Sequence, residues 1–294
     1  MDRLLIVDGH AYAYRAFYAI RGLRSPSGQP TNAIYGFVKM LAKMRVAINP
    51  THLAVVWDGG LSAERVAALP EYKAQRPEMP DDLKPQLDEI AAYLQAAGIT
   101  SICRESVEAD DYIAGLAQQA AQAGMMVVIA SSDKDFMQLV SEQIGLLNPG
   151  DKTETVWTDE QVRAKTGVAP SQIVDWLSLT GDTVDNVPGV PGVGPKTAAE
   201  LLSQFGSVAQ LYARLDEVKS DKLRTALRDA AGVVRRNREL IGLRDDLPCE
   251  FSATGLAERS ADTSRLRELY QRWGFKGLLA ALECSAPEQQ TILI

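Results

Sequence analysis

Histidine and cysteine are scarce in this chain: two histidines, His10 and His52, and three cysteines, Cys103, Cys249 and Cys284, among 294 residues. The histidines lie too far apart to suggest a zinc site. The cysteines are odd in number, scattered and without a CxxC pair, which argues against a disulfide framework and for a reduced, cytoplasmic setting. No run of about 18 uncharged apolar residues occurs, so no membrane span is expected. The opening MDRLLIVDGH carries an acid inside its apolar run and lacks the basic-then-apolar layout of a secretion signal. Internal repeats and low-complexity segments are absent. A positive excess is missing too. The net charge of −7 argues mildly against a nucleic-acid partner, unless the acids are gathered in one place and filled with cations.

Where the acids sit therefore decides, and they recur in one kind of place. RLLIVDGH (3–10) is a short apolar run ending in Asp8 and Gly9. LAVVWDGG (53–60) repeats the plan with Asp58, and MMVVIASSDKD (125–135) repeats it with Asp133 and Asp135. Runs of this length, rich in Val and Ile, predict buried strands. Helical patterns lie between them: NAIYGFVKMLAKMRVAI, LKPQLDEIAAYLQAAG and ADDYIAGLAQQAAQAG. The alternation implies an α/β fold, a mostly parallel sheet flanked by helices. Ligands of such sheets bind outside the carboxyl ends of the strands. Asp8, Asp58, Asp133 and Asp135 fall there, and Glu108, Asp110 and Asp111 open a helix, so all seven are expected on one rim. The charged, proline-rich stretch 60–86 reads as an excursion over that rim. After about residue 165 the strand signals stop and a helical region follows, ending in the amphipathic TSRLRELYQRWGFKGLLAAL.

Carboxylates a few ångströms apart repel by on the order of 4 kcal/mol per contact at an effective dielectric of about 20. Either some stay protonated or divalent cations neutralise them. Oxygen-only ligands point to Mg²⁺ or Mn²⁺ rather than zinc. Two such ions about 3.5–4 Å apart suit phosphodiester hydrolysis. GVPGVGPKTA (189–198) adds Gly189, Gly192 and Gly194, spaced for close backbone approach, then a helix start at Pro195, Lys196 and Thr197. This predicts a phosphate-binding hairpin, with Asp182 and Asp185 just before it and within reach of the metals. EYKAQRP (71–77) sets Lys73 and Arg76 beside Tyr72, a combination suited to single-stranded phosphates. Tyr14 and Arg15 follow Asp8 and are expected to meet a phosphate at the same rim.

The ordered set IVDGHAYAYRAF, TNAIYGF, VVWDGG, PEYKAQRPEMPDDL, VEADDYIAGLA, SSDKDFMQLV and LTGDTVDNVPGVPGVGPKTA resembles the bacterial 5′ nuclease family. That family comprises the 5′–3′ exonuclease domain of DNA polymerase I and stand-alone flap endonucleases. The resemblance covers nearly the whole chain. It implies a first metal site of Asp8, Asp58, Glu108 and Asp110, with Asp111 adjacent, and a second of Asp133, Asp135, Asp182 and Asp185. Two Mg²⁺ ions would serve catalysis, with Mn²⁺ as a substitute. Lys73 and Arg76 match the family's basic pair, within a helical arch of about residues 60–90 that passes the 5′ strand. GVPGVGPKTA resembles the helix–three-turn–helix that grips downstream duplex and often holds K⁺. Arg65 matches a family arginine, but Glu64 stands where an aromatic usually precedes it, and Trp57 replaces the commoner Phe.

The resemblance also implies a catalytic domain over 1–165, a helical DNA-binding region over 166–294, and a cytoplasmic monomer. Its substrates would be DNA with 5′ flaps, nicks or RNA primers, cut in replication and repair. The competing readings are a metal-dependent RNase on a related acidic scaffold and a catalytically weak junction-binding protein. The first lacks the glycine hairpin; the second is expected to have lost metal-site acids, and none is missing.

Overall fold

The structure is a computed structural model that describes residues 2–149, 155–245, 249 and 251–285. Six strands form the main sheet: β1 (Arg3–Asp8), β2 (His52–Trp57), β3 (Thr100–Cys103), β4 (Met126–Ala130), β5 (Ile144–Leu147) and β6 (Val156–Trp157). Their order is β3-β2-β1-β4-β5-β6, with only β6 antiparallel to its neighbour. Residues of β1 alternate between two cores, as a pleated strand requires. Leu5 and Val7 pack with helices α1 (Gly9–Ala19) and α2 (Asn32–Ile48). Leu4 and Ile6 face the opposite core, which includes Ile113 and Leu116 of a later helix. With both faces covered, the run reads as continuously apolar, which is why it was legible as a buried strand.

The strand order reverses at β1. The chain steps outward through β2 and β3, then returns to lay β4 on the other side of β1. A crevice therefore opens beyond the carboxyl ends of β1 and β4. The excursion after β2 contains one short helix, α3 (Ala63–Ala68), followed by turns up to α4 (Lys84–Ala96). Between β3 and β4 runs α5 (Ala109–Gln122), and a 3₁₀ turn, Lys134–Leu139, follows β4.

The helical half holds α6 (Asp159–Thr166), α7 (Ile173–Thr180), α8 (Pro195–Phe205), α9 (Val208–Ala213), α10 (Asp221–Asp229) and α11 (Ala231–Ile241). Contrary to the absence of strand signals there, a small antiparallel ribbon joins α7 to α8: β7 (Gly181–Asp182) and β8 (Val187–Pro188). Two-residue strands leave no periodicity to read. Closing the chain, α12 (Ala253–Leu256) reaches the sheet through the His52–Ala257 bridge. Helix α13 (Thr263–Trp273) folds back beside α4, where Trp273 Nε1 donates to Glu89, and α14 (Lys276–Ser285) packs against α13. The final amphipathic stretch is thus a helix pair, while residues 286–294 lie outside the described residues. Among the described residues no helix is long and apolar enough to cross a membrane, and all three cysteines are free.

Candidate active site

Strand ends and helix starts deliver the acids. Asp8 ends β1 and caps α1: Oδ1 accepts the Ala11 N–H at 3.0 Å and Oδ2 accepts the Ser131 hydroxyl at 2.8 Å. Asp58 follows β2, where Oδ1 accepts the Ala109 N–H at 2.8 Å. Asp110 sits in the first turn of α5, and Asp133 caps the 3₁₀ turn by accepting the Asp135 N–H at 2.9 Å. Asp182 in β7 accepts the Val184 N–H at 3.0 Å. With Asp185, these side chains line one cleft of about 750 Å³, whose other wall carries His10, Tyr14, Tyr18 and Arg76. Tyr14 and Tyr18 are stacked, with ring centroids 6.4 Å apart.

Beside the cleft, carboxylate oxygens of Asp135, Asp182 and Asp185 lie within 4.8 Å of one another. Asp135 Oδ1 is buried and, among the described residues, has no hydrogen-bond partner. An unsatisfied buried carboxylate oxygen is costly, and a cation held by this ring would satisfy it. The donor set, oxygen only, suits a hard divalent ion. Proton affinities carry the same signature. Burial lifts the Asp8 carboxyl to about 6. Asp110 and Asp135 are raised well above the ordinary value, first by burial and next by Asp133. Asp133 is raised by burial, with Asp185 and Asp182 adding to it. Buried, crowded anions hold protons more tightly, and here Lys73 and Lys134 offset that only in part.

Several expected residues stand elsewhere. Glu108 is turned away from the cleft: its oxygens take the Ser62 N–H, the Tyr72 hydroxyl, Lys73 Nζ and Arg65 Nη1. Burial pushes its carboxyl up, but Lys73 and Arg65 outweigh that, and it ends below its ordinary value. Asp111 is not offered to a metal either. Both its oxygens bind Arg65 in a fork at 2.7 and 2.8 Å, and Oδ1 also accepts the Arg244 N–H at 2.9 Å. Arg65 is therefore an internal residue, 6% exposed, rather than one presented to DNA. Tyr72 is buried with its ring beneath Lys73 and offers no stacking face.

Lys73 itself points inward, on Glu108 and 3.7 and 3.9 Å from Asp110 and Asp185, as counter-charge to the cluster. Arg76 meets the expectation of a cation at the cleft, paired with Asp185 at 2.6 Å. Arg15 does not. One residue on from Tyr14 is about 100° round the helix, so Arg15 lines a separate pocket with Tyr12 and Met44.

In the hairpin, Gly189 is an internal packing requirement, because a Cβ there would lie 2.2 Å from the Thr180 carbonyl oxygen. Gly192 and Gly194 differ: a Cβ at either would meet nothing within 4 Å, so their backbone faces open space. Lys196 is exposed in the first turn of α8, and Thr197 is half-buried beside it.

Besides Tyr18, four participants escaped sequence reasoning. Lys134, between two acids in SSDKD, reaches Asp182 at 3.0 Å. Ser131, fully buried, orients Asp8. Nδ1 of His10 accepts the Asp58 N–H at 3.2 Å. Gln138 holds the backbone of Asp135 at 2.8 Å. Only Lys134 had a signal, its place inside an acidic motif.

Comparison with known proteins gives the family and the fold. The family described as 5′–3′ exonuclease, N-terminal resolvase-like domain, matches residues 3–167. The 5′–3′ exonuclease C-terminal SAM fold matches residues 168–264. A 5′–3′ exonuclease of Aquifex aeolicus is 39% identical over 96% of this chain and 96% of its own length. DNA polymerase I of Bacillus caldotenax is 38% identical over 98% of this chain but 33% of its own length, so the chain spans about a third of that relative. Among solved structures, the bacteriophage T5 flap endonuclease, in a complex with DNA and metal ions, superposes with a TM-score of 0.69 at 21% identity, covering 96% of this chain and 99% of the other. The catalytic core of Rad2 with a DNA substrate gives 0.66 at 18% identity, covering 96% and 92%. On sequence and fold together, the chain belongs to the 5′–3′ exonuclease family, a family of nucleases.

Proposed function

We propose that the chain is a metal-dependent, structure-specific 5′–3′ nuclease that hydrolyses DNA phosphodiesters at 5′ flaps and nicks and removes RNA primers in replication and repair. The observation that carries this reading is the buried, unpartnered Asp135 oxygen in a ring with Asp182 and Asp185, beside a cleft lined by Asp8, Asp58, Asp110 and Asp133. Asp8, Asp58 and Asp110 would hold one Mg²⁺, and Asp133, Asp135, Asp182 and Asp185 the other, with Mn²⁺ as a substitute. When bound, such ions supply Lewis acidity toward the phosphate and its leaving group.

The chain's own residues do the rest. Arg76 faces the cleft as a cation for the scissile phosphate. Lys73 and Arg65 hold Glu108 and Asp111, and so fix the floor beneath the acids. The stacked Tyr14 and Tyr18 offer an aromatic face to an unpaired base. Gly192, Gly194 and the start of α8, with Lys196 and Thr197, suit duplex phosphates, and K⁺ would sit at the same turn.

On this reading residues 1–165 form the catalytic domain and 166–294 the DNA-binding region of a cytoplasmic monomer. The test is cleavage of a 5′-labelled flap: active in Mg²⁺, abolished by EDTA, restored by Mn²⁺. Full activity in EDTA refutes the metal reading. Cleavage of single-stranded RNA without flap cleavage transfers the chain to the RNase class.

A further inference from the structure

A continuous polar path runs from the hairpin to the acid cluster through α11. Near its middle, Asn237 is fully buried, and its Nδ2 donates to two carbonyls, Ser178 at 3.1 Å and Pro188 at 2.6 Å. Ser178 lies in α7 and Pro188 in β8, so one amide ties the two segments that lead into the hairpin to α11. Among the described residues its Oδ1 has no partner. The amide is therefore held from the hairpin side alone.

About one helical turn further on, α11 ends and a strap, residues 241–244, crosses to the catalytic half. Each of its four residues is bound. The Ile241 carbonyl accepts from Gln138 Nε2 at 3.2 Å, and the Leu243 N–H donates to Gln138 Oε1 at 3.0 Å. The Gly242 carbonyl accepts from Arg65 Nη2 at 3.2 Å, and the Arg244 N–H donates to Asp111 Oδ1 at 2.9 Å. Gln138 also donates to the Asp135 carbonyl at 2.8 Å, and Arg65 also touches Glu108, the residue that holds Lys73. At the surface Arg244 pairs with Glu64 at 2.8 Å, which gives a role to the residue standing where an aromatic was expected.

We propose that α11 and the strap 241–244 couple the hairpin to the acid cluster, with Asn237 and Gln138 as positioning residues for cleavage. The proposal rests on the nuclease reading and deepens it. Neither side chain lines the cleft, yet each bonds backbone on which site groups are mounted. Directional bonds at the middle and at the C-terminal end of a short rigid helix fix the register of two regions that apolar packing alone would leave free to slide. Duplex seated on the hairpin would thereby set where Asp135 and the Arg65–Asp111 fork stand.

The experiment compares Gln138→Ala, Asn237→Ala and the double variant in the full chain. It reads single-turnover flap cleavage at saturating enzyme, flap affinity in Ca²⁺, Mn²⁺ affinity without DNA, and Tm. Gln138→Ala should slow cleavage on the order of tenfold to a hundredfold, as expected for displaced catalytic groups, and weaken Mn²⁺ binding, with flap affinity within about twofold. Asn237→Ala should lose rate by a comparable factor, and the double variant should fall no further than the worse single, because both cut one path.

A lower Tm with unchanged rate and Mn²⁺ affinity in the folded variants, or fully additive losses, overturns the proposal. If Asn237→Ala does not fold, Gln138→Glu decides. It keeps the acceptor for Leu243 but sets a carboxylate oxygen against the Asp135 and Ile241 carbonyls, so a rate at or below that of Gln138→Ala supports positioning and an unaltered rate refutes it. Should the unsubstituted chain fail to cut flaps, the functional reading has failed, and the Mn²⁺ affinities still test the coupling.

Discussion

Stripping divalent ions should make the folded chain lose stability as pH rises through the weakly acidic range. Burial lifts the Asp8 carboxyl from an ordinary 3.8 to about 6; hydrogen bonds from Ala11 and Ser131 oppose the shift, and Asp58 and Asp133 add to it. Between those two values the folded state holds a proton that the unfolded chain releases. The stabilising contribution is therefore complete below the unfolded value of 3.8 and is lost as pH rises through about 6. For Asp8 alone the loss is on the order of 3 kcal/mol. Asp110, Asp133 and Asp135 are displaced in the same direction and add to it. Glu108 is displaced downward, so its contribution is present above its ordinary 4.5 and is lost only as pH falls below that value.

At roughly 2–4 °C per kcal/mol for a large domain, the Tm in EDTA should drop by several degrees between about pH 4.5 and about pH 7. Saturating Mg²⁺ should cancel the drop, because the ion binds the ionised carboxylates of the folded state only and competes with protons. Differential scanning fluorimetry in EDTA and in Mg²⁺ across that range measures both effects, and Asp8→Asn should flatten the metal-free slope. A metal-free Tm that is level or rises through the window, or a Mg²⁺ increment equal at both ends, would refute the reasoning.

Asp182→Asn removes one negative ligand while keeping size and one oxygen. Single-turnover cleavage should fall steeply, by about a hundredfold or more if transition-state charge loses its support, with flap affinity in Ca²⁺ unchanged or slightly tighter. Lost affinity with normal cleavage would make Asp182 a structural cap of the hairpin. Lys73→Ala and Arg76→Ala should separate: Lys73 is buried on Glu108, and removing it leaves a buried carboxylate unpaired, at a cost of about 3–5 kcal/mol. Arg76 is 40% exposed, so its loss should slow cleavage with little change in Tm. Equal destabilisation by both, measured by thermal melts, would contradict the burial argument.

What the sequence made legible follows physical range. Asp8, Asp58, Asp110 and Asp133 were readable as one rim, and Asp182 and Asp185 as within its reach, because each sits where a strand ends, a helix begins or a glycine hairpin opens, and those are local signals. Strand β3 was not readable, being a half-buried edge of Thr, Ser, Ile and Cys with no apolar run. Strand β5 is four residues long and contains Gly145, where a Cβ would strike Val156. The misplaced residues fail for a different reason. Spacing put Glu108 and Asp111 on the rim with their neighbours, and the backbone is indeed there, but two buried cations from α3 and the turn after it, Arg65 and Lys73, draw those carboxylates inward.

Nothing in VEADDYIAGLA distinguishes an acid that faces a metal from an acid that faces an arginine 46 residues away in sequence. The same limit hid Gln138 and Asn237, whose bonds close over 103 and 59 residues. Within one strand or helix the pattern of carboxylates locates a site. Which of them stay free depends on the cations that long-range folding brings to them, and here those cations come from the very segment expected to reach outward to the substrate.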